Sequence, residues 1–96
     1  MKMNLTKAVL GLNGEPLIER GMVVMINEVV ANTLVTQDAG DNPMFHYELA
    51  RKLYEAKGEI DISESEKMLI RKLCENGRLI VLIAAQVLMI LNNTKE

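Results

Sequence analysis

Residues 78–93 read Arg78-Leu79-Ile80-Val81-Leu82-Ile83-Ala84-Ala85-Gln86-Val87-Leu88-Met89-Ile90-Leu91-Asn92-Asn93, and between Leu79 and Leu91 only Gln86 is polar. Wound as a helix, this stretch rises about 20 Å, short of the ~30 Å hydrocarbon core of a bilayer, so it does not span a membrane. A strand of that length would be unusual, and Ala84-Ala85-Gln86 favours helix. The sequence therefore predicts a helix from Arg78 to about Asn92 that is apolar all round. Such a helix has to be covered, by its own domain or by a neighbouring molecule. The stripe Leu79, Ile80, Ile83, Val87 and Met89 carries that choice. Its simplest role is intramolecular core, and its alternative role is an interface.

Working back from this segment, Asn76-Gly77 ends a preceding helix whose inward residues are Leu69, Ile70, Leu73 and Cys74. Ser63 and Glu66 form a capping box at its start, hydroxyl to the N3 amide and carboxylate back to the cap amide. Ile60 and Ile62 alternate with Glu59 and Asp61 in a short extended link. Before it, Asn42 suits an N-cap and Pro43 the first helical position, where a missing N–H costs nothing. Phe45, Leu49, Ala50, Leu53 and Ala56 line the core side of that helix. Glu48 and Lys52 stand four apart on its surface, and Gly58 follows Lys57 at its end. Residues 37–41 read as a polar loop. Ile26, Val29, Val30, Thr33 and Leu34 follow the i, i+3, i+4, i+7, i+8 spacing of an amphipathic helix reaching about Thr36, with Asn27 off the stripe.

The first twenty-five residues lose that period. Met3 to Leu12, which carries Val9, Leu10 and Leu12 and is broken by Gly11, suggests one extended segment, Leu17 and Ile18 another, and Met22 to Met25 a third. Asn13-Gly14 is a strong hairpin signal because both residues tolerate positive φ in a type I′ turn. Pro16 cannot donate to a ladder, which restricts the strand after it to an edge. The expected architecture is mainly α within an α+β class: one domain over 1–96, a β-hairpin region in 1–25, four short helices in 26–92, the last one central.

Composition narrows the function classes. A 96-residue chain buries roughly 65% of its unfolded surface, enough for one core. Its only aromatic residues are Phe45, Tyr47 and Tyr54, so the core is aliphatic and there is no stacking platform for bases. Eleven basic and thirteen acidic residues give a net charge of −2, with no basic cluster to neutralise phosphates. A helix-turn-helix over Glu64–Leu91 fails on side-chain chemistry, because Leu79 to Ile83 cannot read base edges. Nucleic acid is not an expected partner.

Candidate chemistry is sparse. Cys74 is the sole cysteine, so no intrachain disulfide forms, and its apolar neighbours make it a small core residue rather than a nucleophile. There is no Cys or His pair for zinc, and Gly11 and Gly14 lack the setting of a phosphate loop. Ser63 and Ser65 belong to a helix start, and the single histidine, His46, to a first helical turn. Asp38, Asp41 and Asn42 lack the ligand spacing of a calcium loop. Glu59, Asp61, Glu64 and Glu66 form an acidic run, half of it placed where a helix N-terminus favours negative charge. The N-terminus has no apolar block after Lys2, so no secretory signal is read, the Asn4 and Asn92 tripeptides are not glycosylation sites, and a reducing, cytoplasmic compartment is expected. No catalytic residue, cofactor, metal or small-molecule substrate is expected.

Leu12-Asn13-Gly14-Glu15-Pro16-Leu17, then Asn27 to Leu34, then Tyr47 to Leu53, then Glu59 to Ser63 before a helix, and last an apolar helix containing Gln86 occur in this order. The pattern resembles a group of small, uncharacterised proteins of tailed bacteriophages and prophages. That resemblance implies an origin and brings no activity with it. The resulting expectation is a non-enzymatic accessory protein of phage type that works by protein–protein contact as a homo-oligomer. The alternative is a regulator that binds and inhibits a host or phage enzyme, with the acidic run beside Ser63 as its contact patch.

Overall fold

A computed structural model describes residues 2–36 and 42–93. Strand β1 (Lys2–Met3) leads, followed by β2 (Ile18–Glu19) and β3 (Met22–Val23), then helices α1 (Ile26–Thr36) and α2 (Pro43–Glu55). Strand β4 (Ile60–Asp61) and helices α3 (Glu64–Glu75) and α4 (Val81–Asn93) complete the order. The class is mixed α+β and mainly helical, as expected. The expected polar loop 37–41 and the Asp38–Asp41 cluster lie outside the described residues, whereas Asn42 is the α2 N-cap, its Oδ1 accepting from Phe45 N–H.

The N-terminal hairpin is real, but its tight turn is elsewhere than at Asn13-Gly14. Strands β2 and β3 pair antiparallel in the register Ile18↔Val23 and Glu19↔Met22. Between them Arg20 and Gly21 both take positive φ, +52° and +76°, which a type I′ turn requires. At the expected site only Gly14 has positive φ. There Leu12, Asn13 and Gly14 form a three-residue loop closed by Gly11 N–H to Glu15 O at 2.9 Å. Leu10 lies opposite Pro16 in an isolated bridge. The flanking bonds run from Gly11 N–H to Glu15 O and from Leu17 N–H to Val9 O, so this pair exchanges none, and proline's missing donor costs nothing.

The stretch Lys2–Leu10 ties the helices to the hairpin. Strand β1 pairs antiparallel with β4, Lys2 opposite Asp61 and Met3 opposite Ile60. Met3, Leu5 and Val9 are buried in the core. The carbonyls of Leu5 and Lys7 accept the first two amides of α1, Asn27 N–H at 2.9 Å and Ile26 N–H at 2.8 Å. Backbone thus does the work of an N-cap side chain. Val9 closes the base of the hairpin, donating to Val24 O and accepting from Leu17 N–H. Thr6 Oγ1 donates to Ala56 O at 3.2 Å and accepts from Gly58 N–H at 3.1 Å. These contacts hold the chain after α2 in extended conformation, with Ala56 at φ −64°, ψ 139°. The helix therefore stops at Glu55, ahead of the expected Lys57-Gly58 ending.

Inside the helical part, one core gathers Val30 and Leu34 from α1, Leu49 and Leu53 from α2, Ile70 and Leu73 from α3, and Val87 and Leu91 from α4. Asn27, expected off the buried stripe, is only 4% exposed, and its Nδ2 donates to Leu53 O at 3.0 Å, satisfying a carbonyl at the end of α2. The Ser63–Glu66 capping box forms as expected. Glu66 Oε1 also meets Lys52 Nζ at 3.1 Å, so Lys52 joins α2 to α3. The ion pair within α2 is Arg51–Glu55, four apart, instead of the expected Glu48–Lys52. Helix α3 ends in a Schellman turn: Arg78 N–H reaches Leu73 O, and Gly77 sits at φ +72°. That turn occupies Asn76–Arg78 and delays α4 to Val81.

Loss of the Thr6 and Asn27 contacts should be costly for a chain this small. Thr6→Val and Asn27→Ala are each expected to destabilise by about 0.5–1.5 kcal/mol, the net value of the hydrogen bonds lost, since the Thr6 partners are half-buried and Leu53 O keeps Ala56 N–H. Thermal melts should register roughly 4–8 °C per kcal/mol. Unchanged melting of both variants would contradict the tying role of residues 2–10.

Candidate functional site

Helix α4 is not covered on all sides. Leu79 just before it, and Ile83, Ala84, Val87 and Leu91 within it, are buried. Val81, Ala85 and Met89, spaced four apart, point outward, with Val81 84% and Met89 57% exposed. The stripe expected to act as one surface is therefore split. Leu79, Ile83 and Val87 are core residues and cannot also be interface, whereas Ile80 and Met89 are exposed. Periodicity explains the division, since 79, 83 and 87 recur every four residues on the side turned to the common core while 81, 85 and 89 recur on the exposed side.

Gln86, the one polar residue of the apolar run, positions this surface. Leu10 has its backbone N–H and C=O turned away from Pro16, toward α4. Gln86 meets both: Leu10 N–H donates to Oε1 at 2.9 Å, and Nε2 donates to Leu10 O at 2.5 Å. A side-chain carboxamide thus substitutes for a neighbouring strand and covers an open edge. Between this clamp and the outer face of α4 lies an open groove of about 330 Å³, walled by Leu10, Leu12, Leu82, Ala85 and Met89. Leu12, at the tip of its loop, is fully exposed. Nothing in the sequence pairs Gln86 with Leu10, 76 positions away. The available signal was a lone amide in an apolar helix, which has to find a partner.

The groove offers little to a small molecule. Ligand pockets combine apolar walls with a few convergent polar groups, and here the only such side chain is already used at both ends on Leu10. A second cleft of about 200 Å³, between α1 and α2, is lined by Val35, Tyr47, Arg51 and Tyr54 among others. Its cation, Arg51, is paired with Glu55 at 3.3 Å. The acidic run is partly used too, since Glu66 serves the α3 cap and Lys52.

Among the described residues, no group of three or more His, Cys, Asp or Glu side chains is gathered to hold a metal ion. Among them, no helix is long and apolar enough to cross a membrane. Cys74 is buried, and its thiol is pushed up to about 11 by burial first and by Glu75 second, against a lowering by Arg71. At neutral pH it stays protonated and a poor nucleophile. Comparison with family models, curated proteins and solved structures finds no match to the chain.

Two measurements follow from these contacts. Gln86→Met keeps helix propensity but removes both hydrogen bonds to the exposed Leu10 backbone, so a loss of about 0.5–1.5 kcal/mol is expected, with faster hydrogen exchange at the Leu10 amide. Unaltered Leu10 protection would rule out the clamp. Cys74 should react with a disulfide reagent only on unfolding. The folded thiol titrates above its ordinary 9.0, so an unfolded chain ionises first and stability should fall between about pH 9 and 11.

Proposed function

We propose that this protein works by protein–protein contact rather than catalysis, as a self-associating accessory protein of phage or prophage type. The contact surface is the outer side of α4 with the Leu10–Leu12 loop. It replaces the buried part of the stripe read from sequence and keeps Ile80 and Met89.

The observation that carries this reading is Ile80. The Ile80 carbonyl accepts the first helical bond of α4, from Ala84 N–H at 2.9 Å, so Ile80 stands at the N-cap. Ser, Thr, Asp or Asn there would be more stable by about 1 kcal/mol, because a side-chain oxygen would meet a free helix amide. The position instead holds a β-branched hydrocarbon, 62% exposed. Val81 beside it is still more exposed. A local rule broken at an exposed site, with no gain inside the fold, is what a contact surface requires.

Sedimentation across concentration tests the reading, with Ile80→Asp as the diagnostic variant. The parent chain is expected to dimerise or assemble further. Ile80→Asp should abolish association, yet melt no lower than the parent at dilutions where both are monomeric, and by the cap argument about 1 kcal/mol more stable. A parent chain that stays monomeric at every concentration would refute self-association.

A further inference from the structure

Asn-Gly occurs twice in the chain, at Asn13-Gly14 and at Asn76-Gly77. Asparagine is a thermolabile residue, and a following glycine lets it react with its own backbone. The glycine nitrogen, freed of its proton by hydroxide, attacks the asparagine Cγ. A cyclic imide forms, and the carboxamide nitrogen leaves as ammonia. Water then opens the ring at either carbonyl and leaves aspartate or isoaspartate. Glycine permits the attack because no side chain shields its nitrogen. A Cβ placed on Gly14 or on Gly77 would meet nothing within 4 Å, so sterics do not separate the two steps. What separates them is the cost of bringing the nitrogen round to Cγ.

Asn76 stands at the end of α3 with φ −92° and ψ 11°, which turns the Gly77 nitrogen away from the Asn76 side chain. Rotating it back breaks the bond from Arg78 N–H to Leu73 O and pulls on Leu79, which is buried. Such an opening disturbs the core and is rare. At Asn13 the bond from Gly14 N–H to Gly11 O has to break, but residues 12–16 are all exposed and no core side chain moves. Glu15 N–H also donates to Asn13 Oδ1 at 3.1 Å. Attack on Cγ places negative charge on that oxygen, where this donor stabilises it.

We propose that Asn13 is a site of spontaneous deamidation in the folded protein and that Asn76 is not. The product sets a carboxylate beside Leu12, in a stretch, Ala8–Gly14, that otherwise has no charge. Resting on the self-association argued above, burial of that charge loosens the contact as the protein ages.

The full chain, held in mildly alkaline buffer and then digested with trypsin, tests the assignment. Peptide 8–20 should gain the acid forms roughly tenfold faster than peptide 73–78, the effect of a modest difference in opening free energy. In urea, where neither turn persists, the two rates should converge. Absence of reaction at Asn13, equal rates in the folded chain, or a gap that persists in urea overturns the site. The reacted chain, separated by charge, should associate about tenfold more weakly than the fresh chain. Association of unaltered affinity overturns the loosening and leaves the site. A fresh chain that stays monomeric overturns self-association and the loosening together, and again leaves the site.

Discussion

Apart from two local bonds, Thr6 N–H to Asn4 Oδ1 and Lys7 N–H to Leu5 O, the extended stretch Lys2–Leu10 takes its backbone partners from elsewhere, and the rest of the structure is arranged around that need. Buried N–H and C=O groups must find partners, and an extended segment finds few in its near sequence. Here they come from four places, β4, the first turn of α1, the base of the β2–β3 hairpin and Gln86 of α4, while the Thr6 hydroxyl adds a side-chain link to the loop after α2. The strands themselves are only two residues long. What would be a sheet in a larger protein is here one strap with scattered single partners. The same strap buries Met3, Leu5 and Val9, so its polar and apolar requirements are met by one path.

Features with a local cause were legible in the sequence. The Asn42-Pro43 start of α2 and the Ser63–Glu66 box depend on residues within one turn of each other, and both form as read. The 3.6-residue period placed α1 at its observed ends. Features set by distant contacts were not legible. Asn27 looks like a surface residue until Leu53 O is placed against it. Lys52 has a suitable partner four residues away, yet it turns to Glu66 across a helix junction. The turn at Arg20-Gly21 was hidden because arginine seldom takes positive φ, whereas Asn13-Gly14 advertised a turn of the wrong type.

The apolar run in α4 shows how far composition alone can lead. Its lack of polar groups correctly marked it as a segment in need of cover. Hydrophobicity without a moment cannot say which side is covered, and the division between Ile83–Val87–Leu91 and Val81–Ala85–Met89 came only from the contacts of Gln86 and of the preceding Schellman turn. The Gln86 amide and the burial of Ile83, Val87 and Leu91 in the common core agree on one rotation of the helix. Had the run carried a second polar residue on the outer side, both faces would have been readable from spacing.

The strap also sets the order in which the molecule can be completed during synthesis. Its residues are made before their partners, the farthest of which lie fifty to seventy-six positions downstream. Early in translation Met3, Leu5 and Val9 are exposed with nothing to cover them. Long-range closures of this kind raise the contact order and slow folding relative to a plain helical bundle of equal size. Helices α1 to α3 have the local signals to form while the chain is still growing. The final structure waits for Gln86 to emerge, which makes the last helix the latch on a fold whose first residues hold it together.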